Sequence, residues 1–269
     1  MKKVWLYFSL ILGAVIFIYP FLWMLFATFK PEMEIRGFGL WPSRFTVNSY
    51  VQVVEKIPIF RALINSIFVS LIITSSVLFF SSMGGYALAR LKFRGRDFML
   101  GTILFTMMIP FQLTLIPLYI LMVKLHWTDT YLALIVPGMM SGFGILLFRQ
   151  FFLTIPQALI DAARVDGLSD YQILFRIIWP LSKPIIITVA IITFMNTWNE
   201  ALWPLIVIRN QELMTMPQMV TIFTVGGMAE SQLGVKLAAA MIMALPIVIA
   251  YSFFQKYFVE SIASTGMKG

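Results

Sequence analysis

From Val4 to Phe29 the chain carries no charged residue, and runs of this kind recur along its length. The hydrocarbon core of a bilayer is about 30 Å thick, so a helix needs roughly 20 mostly apolar residues to cross it. Six stretches meet that requirement: about Val4–Phe29, Ala62–Ala89, Phe98–Val123, Tyr131–Phe152, Ile185–Ile208 and Val235–Val259. Composition agrees. The chain is 60% hydrophobic and 12% charged, against about 45–50% and about 25% for a soluble domain. The first stretch follows Met-Lys-Lys, as a secretory signal would. Its apolar run exceeds the roughly 7–15 residues of such a signal and no A-x-A site follows, so it is expected to be a retained anchor. The expected fold is an all-α integral membrane protein, a single domain over residues 1–269, with a polar connection at residues 153–184.

Charge sets the orientation. A net charge of +8 would suit nucleic acid, but its distribution points to a membrane. With the N-terminus inside, the inner segments hold 12 of the 20 Lys and Arg and five of the 12 acids. Cytoplasmic loops carry an excess of Lys and Arg, so both termini are expected in the cytoplasm. The loop "ARLKFRGRD" (Ala89–Asp97) contributes most to that bias. There is no Cys and one His, His126, so disulfides, thiolate sites and histidine metal clusters are excluded within the chain. His126 stands beside Trp127 in a short outer loop and reads as interfacial.

The stretch "IPQALIDAARVDGLSDYQILFRIIWPLSKP" (Ile155–Pro184) departs from this pattern. Thr154 and Gln157 have the spacing of a capping box, with Pro156 in the tolerant first turn. Ile155, Ala158, Leu159, Ala162 and Ala163 form an apolar face at helical spacing. Gly167 suits the left-handed residue that ends a helix after Asp166. Ser169 with Gln172 starts a second box, Tyr171, Leu174, Phe175 and Ile178 make a second stripe, and Pro180 and Pro184 are expected to stop it. One reading is an interfacial helix on lipid headgroups. Such helices are usually rich in Lys and Arg, whereas this one sets Asp161, Asp166 and Asp170 against Arg164 and Arg176. The other reading is a docking surface for a protein, with the small Ala162–Ala163 pair allowing close approach.

"DAARVDG", followed nine residues later by "IIWP", resembles the EAA loop of ATP-binding-cassette importer permeases. The matching positions are Asp161, Ala162, Ala163, Gly167, Ile177 and Pro180. Asp161 stands where the family has Glu, and Trp179 where it has Leu. "FMNTWNEALWPLIV" (Phe194–Val207) and the ending "FFQKYFVESIASTGMKG" (Phe253–Gly269) are similar to the carbohydrate-uptake branch, in particular the smaller permease subunit of maltose-type transporters. The resemblance implies a type I importer permease of six spans. In it, Asp161, Ala162, Ala163, Arg164, Asp166, Gly167 and Pro180 would belong to a cytoplasmic coupling helix that docks on an ATPase. It further implies a second, related permease in a heterodimer, two ATPase subunits that hold ATP and Mg, an external solute-binding protein, and a bacterial or archaeal cytoplasmic membrane. No cofactor is expected in this chain and no nucleic acid among its partners. No Gly-Lys pair exists anywhere, so the chain lacks a Walker phosphate loop and must take its energy from another subunit.

Asn196, Thr197, Asn199 and Glu200 lie inside the fifth stretch. An acid at a helix centre costs about 2.5–3.5 kcal/mol on insertion scales, so such residues face a partner, water or a pathway rather than lipid. Asn196, Trp198, Asn199, Glu200 and Trp203 are therefore candidates for a sugar pathway, since aromatic faces and amides suit sugar rings. The competing reading is that they bond only to neighbouring helices. Ser66, Ser70, Thr74, Ser81, Ser82, Gly84 and Gly85 in the second stretch indicate close helix packing, with pore lining as the alternative. Pro110 and Pro117, flanking Gln112, indicate a kink. Substrates open at this point are an oligosaccharide, a phosphorylated polyol or a non-sugar solute. An intramembrane enzyme would need a nucleophile–base pair or a metal set that one His, no Cys and one intramembrane acid do not supply.

Overall fold

The computed structural model describes residues 2–37, 39–225 and 232–266, with side chains for residues 3–37, 39–225, 232–249 and 252. Among the described residues there are helices and connections but no strand. The long helix α1 (Lys2–Ala27) is followed by two short helices, α2 (Glu32–Ile35) and α3 (Asn48–Lys56). Next comes α4 (Ile59–Arg90), the pair α5 (Arg96–Met107) and α6 (Phe111–Lys124), and then α7 (Tyr131–Ile135) and α8 (Gly142–Phe152). The polar connection holds α9 (Gln157–Val165), α10 (Asp170–Gln172), a π-helical segment (Ile173–Ile178) and α11 (Trp179–Leu181). The chain closes with α12 (Lys183–Asn199), α13 (Leu202–Val207), α14 (Met216–Val225) and α15 (Leu233–Gly266).

Among the described residues three segments are long and apolar enough to cross a bilayer: Lys3–Ala27, Ile59–Arg90 and Tyr131–Phe152. Two more pass only as bent pairs. The expected span Phe98–Val123 is not continuous: α5 and α6 meet at 99°. Pro110 sits at the N-cap of α6; it lacks an N–H and steers the residue before it away from helical geometry. The expected span Ile185–Ile208 is also broken, at Glu200 and Ala201, where Glu200 turns extended (ψ 114°). A second bent pair, at 87°, joins residues 170–181 to α12 through the fully buried Ser182. Tyr131–Phe152 is interrupted by a 3-10 turn (Val136–Gly138) before α8 begins. The sixth stretch begins within α15, which continues past its expected end at Val259. The side chains of the tail Glu260–Gly269 lie outside the described residues.

The mast of the fold is α4, which packs along α8 and α12. The small residues of the second stretch allow this. A Cβ at Gly85 would lie 2.6 Å from the Phe148 Cβ and 2.9 Å from the Arg149 nitrogen, and one at Gly144 would lie 3.2 Å from Ser81. The serines also carry polar bonds across the packing. Ser81 Oγ donates to the Ser141 carbonyl at 3.2 Å and accepts from the Ser141 N–H at 3.2 Å. Ser66 Oγ accepts from the Met216 N–H at 2.6 Å. Ser70 and Thr74 are buried with hydroxyls that find no partner.

In the first two turns of α4 the buried Asn65 ties three segments together. Its amide donates to the carbonyls of Glu212 and Met214, and its oxygen accepts from the Tyr131 hydroxyl at 2.7 Å. The Glu32 carboxylate accepts from the Leu233 and Gly234 N–H groups at the start of α15. His126, in the turn after α6, adopts a positive φ of 56°.

Because α4 and α8 touch backbone to backbone at Gly85, a side chain there must separate them. Overpacking of this kind typically costs about 1–3 kcal/mol. G85A is expected to lower the thermal midpoint of the purified protein in detergent, and G85L to abolish folded yield. Replacing the exposed Gly101, whose Cβ would meet nothing within 4 Å, should leave both unchanged.

Candidate functional site

Two regions carry the residues that sequence singles out. The first is α9 and the turn that follows it. The helix ends in a Schellman motif: the Gly167 N–H reaches the Arg164 carbonyl and the Leu168 N–H the Ala163 carbonyl, each at 3.0 Å. Gly167 has φ +78°, a conformation open to glycine without a Cβ penalty. The next helical run starts with the expected capping box, Ser169 with Gln172. The expected box at Thr154 does not form. Thr154 Oγ1 instead donates to the Phe151 carbonyl at 2.7 Å, finishing α8, and Pro156 takes the N-cap position of α9. Gln157 is thereby free to donate to Asp161 Oδ1 at 2.9 Å and to accept from Arg90 Nη1 at 2.9 Å.

The apolar face expected on α9 divides in two. Ile155, Ile160 and Ala163 turn inward and are buried, while Ala158, Leu159, Ala162 and Val165 face out, Val165 at 88% exposure. Charged Asp161, Arg164 and Asp166 surround that outer stripe, all exposed. Arg164 Nη2 bonds Asp170 Oδ1 at 2.9 Å, and this bond raises the pKa of the guanidinium above its ordinary value. The Tyr86 hydroxyl on α4 donates to the same carboxylate oxygen at 3.0 Å.

Pro180, expected to end its helix, lies within a continuous helical run. The preceding π segment explains this. A proline ring clashes with the carbonyl four residues back, here Arg176. The Trp179 N–H bonds the Leu174 carbonyl five residues back, so the backbone is already widened where the ring arrives. Ile177 is half-buried, and the indole N–H of Trp179 donates to Ser82 Oγ on α4 at 3.1 Å.

The second region is a cavity of about 460 Å³ between α4, the α7–α8 segment, α12 and α13. Its walls are mostly apolar, with Val69, Ile73 and Val77 from α4 and Val189 and Ile192 from α12. Polar groups come mainly from α12 and its end, Thr193, Asn196, Thr197 and Glu200, with Ser141 and Thr215 from other segments. Such a size and lining fall in the range of small-molecule sites. Glu200 is the one ionisable residue among those that line it. Its Oε1 accepts from the Trp203 N–H at 3.0 Å, satisfying a donor that the break between α12 and α13 would leave free.

Of the five residues singled out for a pathway, Asn196, Glu200 and Trp203 line this cavity. Trp203 is 5% exposed, and its indole N–H donates to the Ala133 carbonyl at 2.8 Å. Trp198 is fully buried elsewhere, stacked on Phe194 with its indole N–H on the Met243 carbonyl at 3.2 Å. Asn199 is exposed and bonds the Met195 carbonyl within its own helix. Sequence gave no special place to Arg90, Tyr86 or Asn65. Their partners lie 62 to 149 positions away, and no local spacing marks them. Among the described residues no group of three His, Cys, Asp or Glu is placed to hold a metal.

Residues 81–264 match the family described as "Binding-protein-dependent transport system inner membrane component". The chain is 36% identical to an arabinooligosaccharides transport system permease protein of Halalkalibacterium halodurans, over 95% of this chain and 93% of that one. It is 31% identical to a trehalose/maltose transport system permease protein of Thermococcus litoralis, over 100% and 98%. In fold it is similar to a chain of a bacterial transporter involved in import of the acidic polysaccharide alginate, with a TM-score of 0.83 over 96% of this chain and 97% of that one, at 24% identity. The chain belongs to the family of binding-protein-dependent transport system inner membrane components.

Proposed function

We propose that this chain is one of two permease subunits of an importer that carries a sugar, in oligosaccharide form, into the cell by ATP-driven alternating access. In this reading α1, α4, α5 with α6, α7 with α8, α12 with α13, and α15 make six spans, with both termini in the cytoplasm. The α9 helix is the coupling helix, and Asp161, Ala162, Ala163, Arg164, Asp166, Gly167 and Pro180 build it or hold it. The observation that carries the reading is the outward stripe Ala158–Leu159–Ala162–Val165 on a helix fixed at its far end by the Gly167 turn. A membrane-surface helix would set basic residues around such a stripe; here Asp161 and Asp166 flank it, which suits a groove on a protein. ATP and Mg belong to two ATPase subunits, and a solute-binding protein delivers the sugar from outside.

The sugar assignment draws on the curated relatives, whose names include arabinooligosaccharides, lactose and trehalose/maltose. A relative named for sn-glycerol-3-phosphate transport, 31% identical over 76% of this chain, raises a phosphorylated polyol as the alternative. The cavity favours the neutral sugar. It is lined by Glu200 and by no Lys or Arg, whereas phosphate recognition relies on charge-assisted bonds from such groups.

Introducing a charge at Val165 leaves the fold untouched, because the side chain is 88% exposed, but places an unpaired carboxylate in the docked interface. V165D is expected to weaken co-purification of the ATPase subunits by at least about tenfold, the effect of roughly 1.4 kcal/mol. Full retention of the ATPases would remove α9 from the coupling role. In uptake assays on the complete transporter, neutral oligosaccharides should compete with one another for entry, and glycerol phosphates should not. Competition by the phosphates would reverse the substrate assignment.

A further inference from the structure

Two polar tethers run from the last two turns of α4 to the segments flanking α9: one to Gln157 and the residues just before it, the other to Asp170 of α10 beyond the Gly167 turn, which Arg164 of α9 also bonds. At one end the Arg90 guanidinium donates to the carbonyls of Phe152 and Ile155 and to Gln157 Oε1, and Gln157 passes the contact on to Asp161. At the other end the Tyr86 hydroxyl, 3.0 Å from Asp170 Oδ1, shares that oxygen with Arg164. Tyr86 and Arg90 lie four residues apart, one turn on one face of the helix. A guanidinium is a planar fork of fixed geometry, so three acceptors around it set an orientation as well as a distance. Next to Tyr86, the missing side chain at Gly85 seats α4 against Phe148 and Arg149 of α8. The helix that bears both tethers also supplies a wall of the cavity through Val69, Ile73 and Val77. Nine residues separate Val77 from Tyr86, about 14 Å along the helix axis.

We propose that Arg90 and Tyr86 are positioning residues that pin the segments flanking α9 to α4, so that a displacement delivered at α9 shifts the cavity wall formed by Val69, Ile73 and Val77. The proposal rests on the reading of α9 as the coupling helix. Its content is that force leaves α9 sideways, through side chains onto α4, as well as along the backbone into α8 and α12. The carbonyls that Arg90 holds belong to the end of α8, where the Phe152 carbonyl also accepts from the Ile155 N–H at 3.2 Å, and to the turn before α9.

The test uses the complete transporter in proteoliposomes with its binding protein, and reads ATPase co-purification, ATP hydrolysis and solute uptake in parallel. Y86F removes one oxygen and R90A the whole fork, while R90K keeps the charge without the fork. Both Y86F and R90A are expected to retain the ATPases and to hydrolyse ATP. Uptake per ATP should fall about threefold in Y86F, the scale of one net hydrogen bond, and at least about tenfold in R90A. R90K should recover part of the loss, because an ammonium reaches one carbonyl but not three acceptors. An unchanged ratio in Y86F and R90A with the ATPases still bound would overturn the tethers and leave α9 docking intact. Uptake and hydrolysis falling in the same proportion, or loss of the ATPases in Y86F, would overturn them as well, by showing a role only in folding. V165D keeping its ATPases would instead sink the docking reading, independently of either tether.

Discussion

Within hydrocarbon no water is at hand to take up a freed N–H or C=O, so each break in a spanning helix must be repaired by the protein. The same repair is made at the breaks inside the apolar stretches and at the corners of the polar connection. At Ser141 the backbone N–H and C=O both bond Ser81 of α4, and the Ser141 hydroxyl caps the Gly144 N–H at 3.1 Å. At the turn between α12 and α13 the Glu200 carboxylate takes the Trp203 N–H. At the 87° corner Ser182 donates back to the Ile178 carbonyl at 2.7 Å. Before Pro180 the helix widens rather than breaks. At the end of α8 it is Arg90 that covers the Phe152 carbonyl.

That accounting assigns Glu200 two duties. A carboxylate at membrane depth is costly, and its bond to the Trp203 N–H offsets part of the cost while fixing the start of α13. The same residue faces the cavity together with Asn196 and Thr197. A group needed to repair a helix break is in this way presented to whatever occupies the cavity. Trp203, with its indole N–H held by the Ala133 carbonyl, is the wall against which that break is set. Trp198, five residues earlier, has the opposite task of locking α12 to α15 through the Met243 carbonyl.

How much of this could be read from sequence follows from the range of each interaction. Gly167 and the Ser169–Gln172 box were legible because a cap is decided within four or five residues. The apolar stretches were legible because membrane thickness sets their length. The breaks inside them were legible only where a proline marked one. Hydropathy averages over Met139–Ser141 and over Glu200–Ala201 without registering that the backbone changes course. The box at Thr154 failed because two local options competed: its hydroxyl closes α8 instead, and Gln157 is drawn to Arg90. The apolar face of α9 was misassigned for a related reason, since the inward side is chosen by the apolar core, the π-helical segment included, that receives Ile160 and Ala163. In the sequence Arg90 counts only as one more positive charge on an inner loop; its bonding partners become visible once the chain is folded.

The division of α9 into two apolar sides has a mechanical consequence. A helix with one apolar face can either pack on its own protein or bind another, and doing one abolishes the other. Ile160 and Ala163 seat α9 on the membrane domain while Leu159, Ala162 and Val165 remain available outside. The helix is therefore held from within before anything docks on it. A projection of nine residues is too short to be a stable helix alone, since isolated helices below about 12–15 residues are marginal in water. Its rigidity has to come from the Gly167 turn, the buried pair and the polar bonds to α4. Loosening any one of these would leave α9 less firmly seated on the helices that carry it.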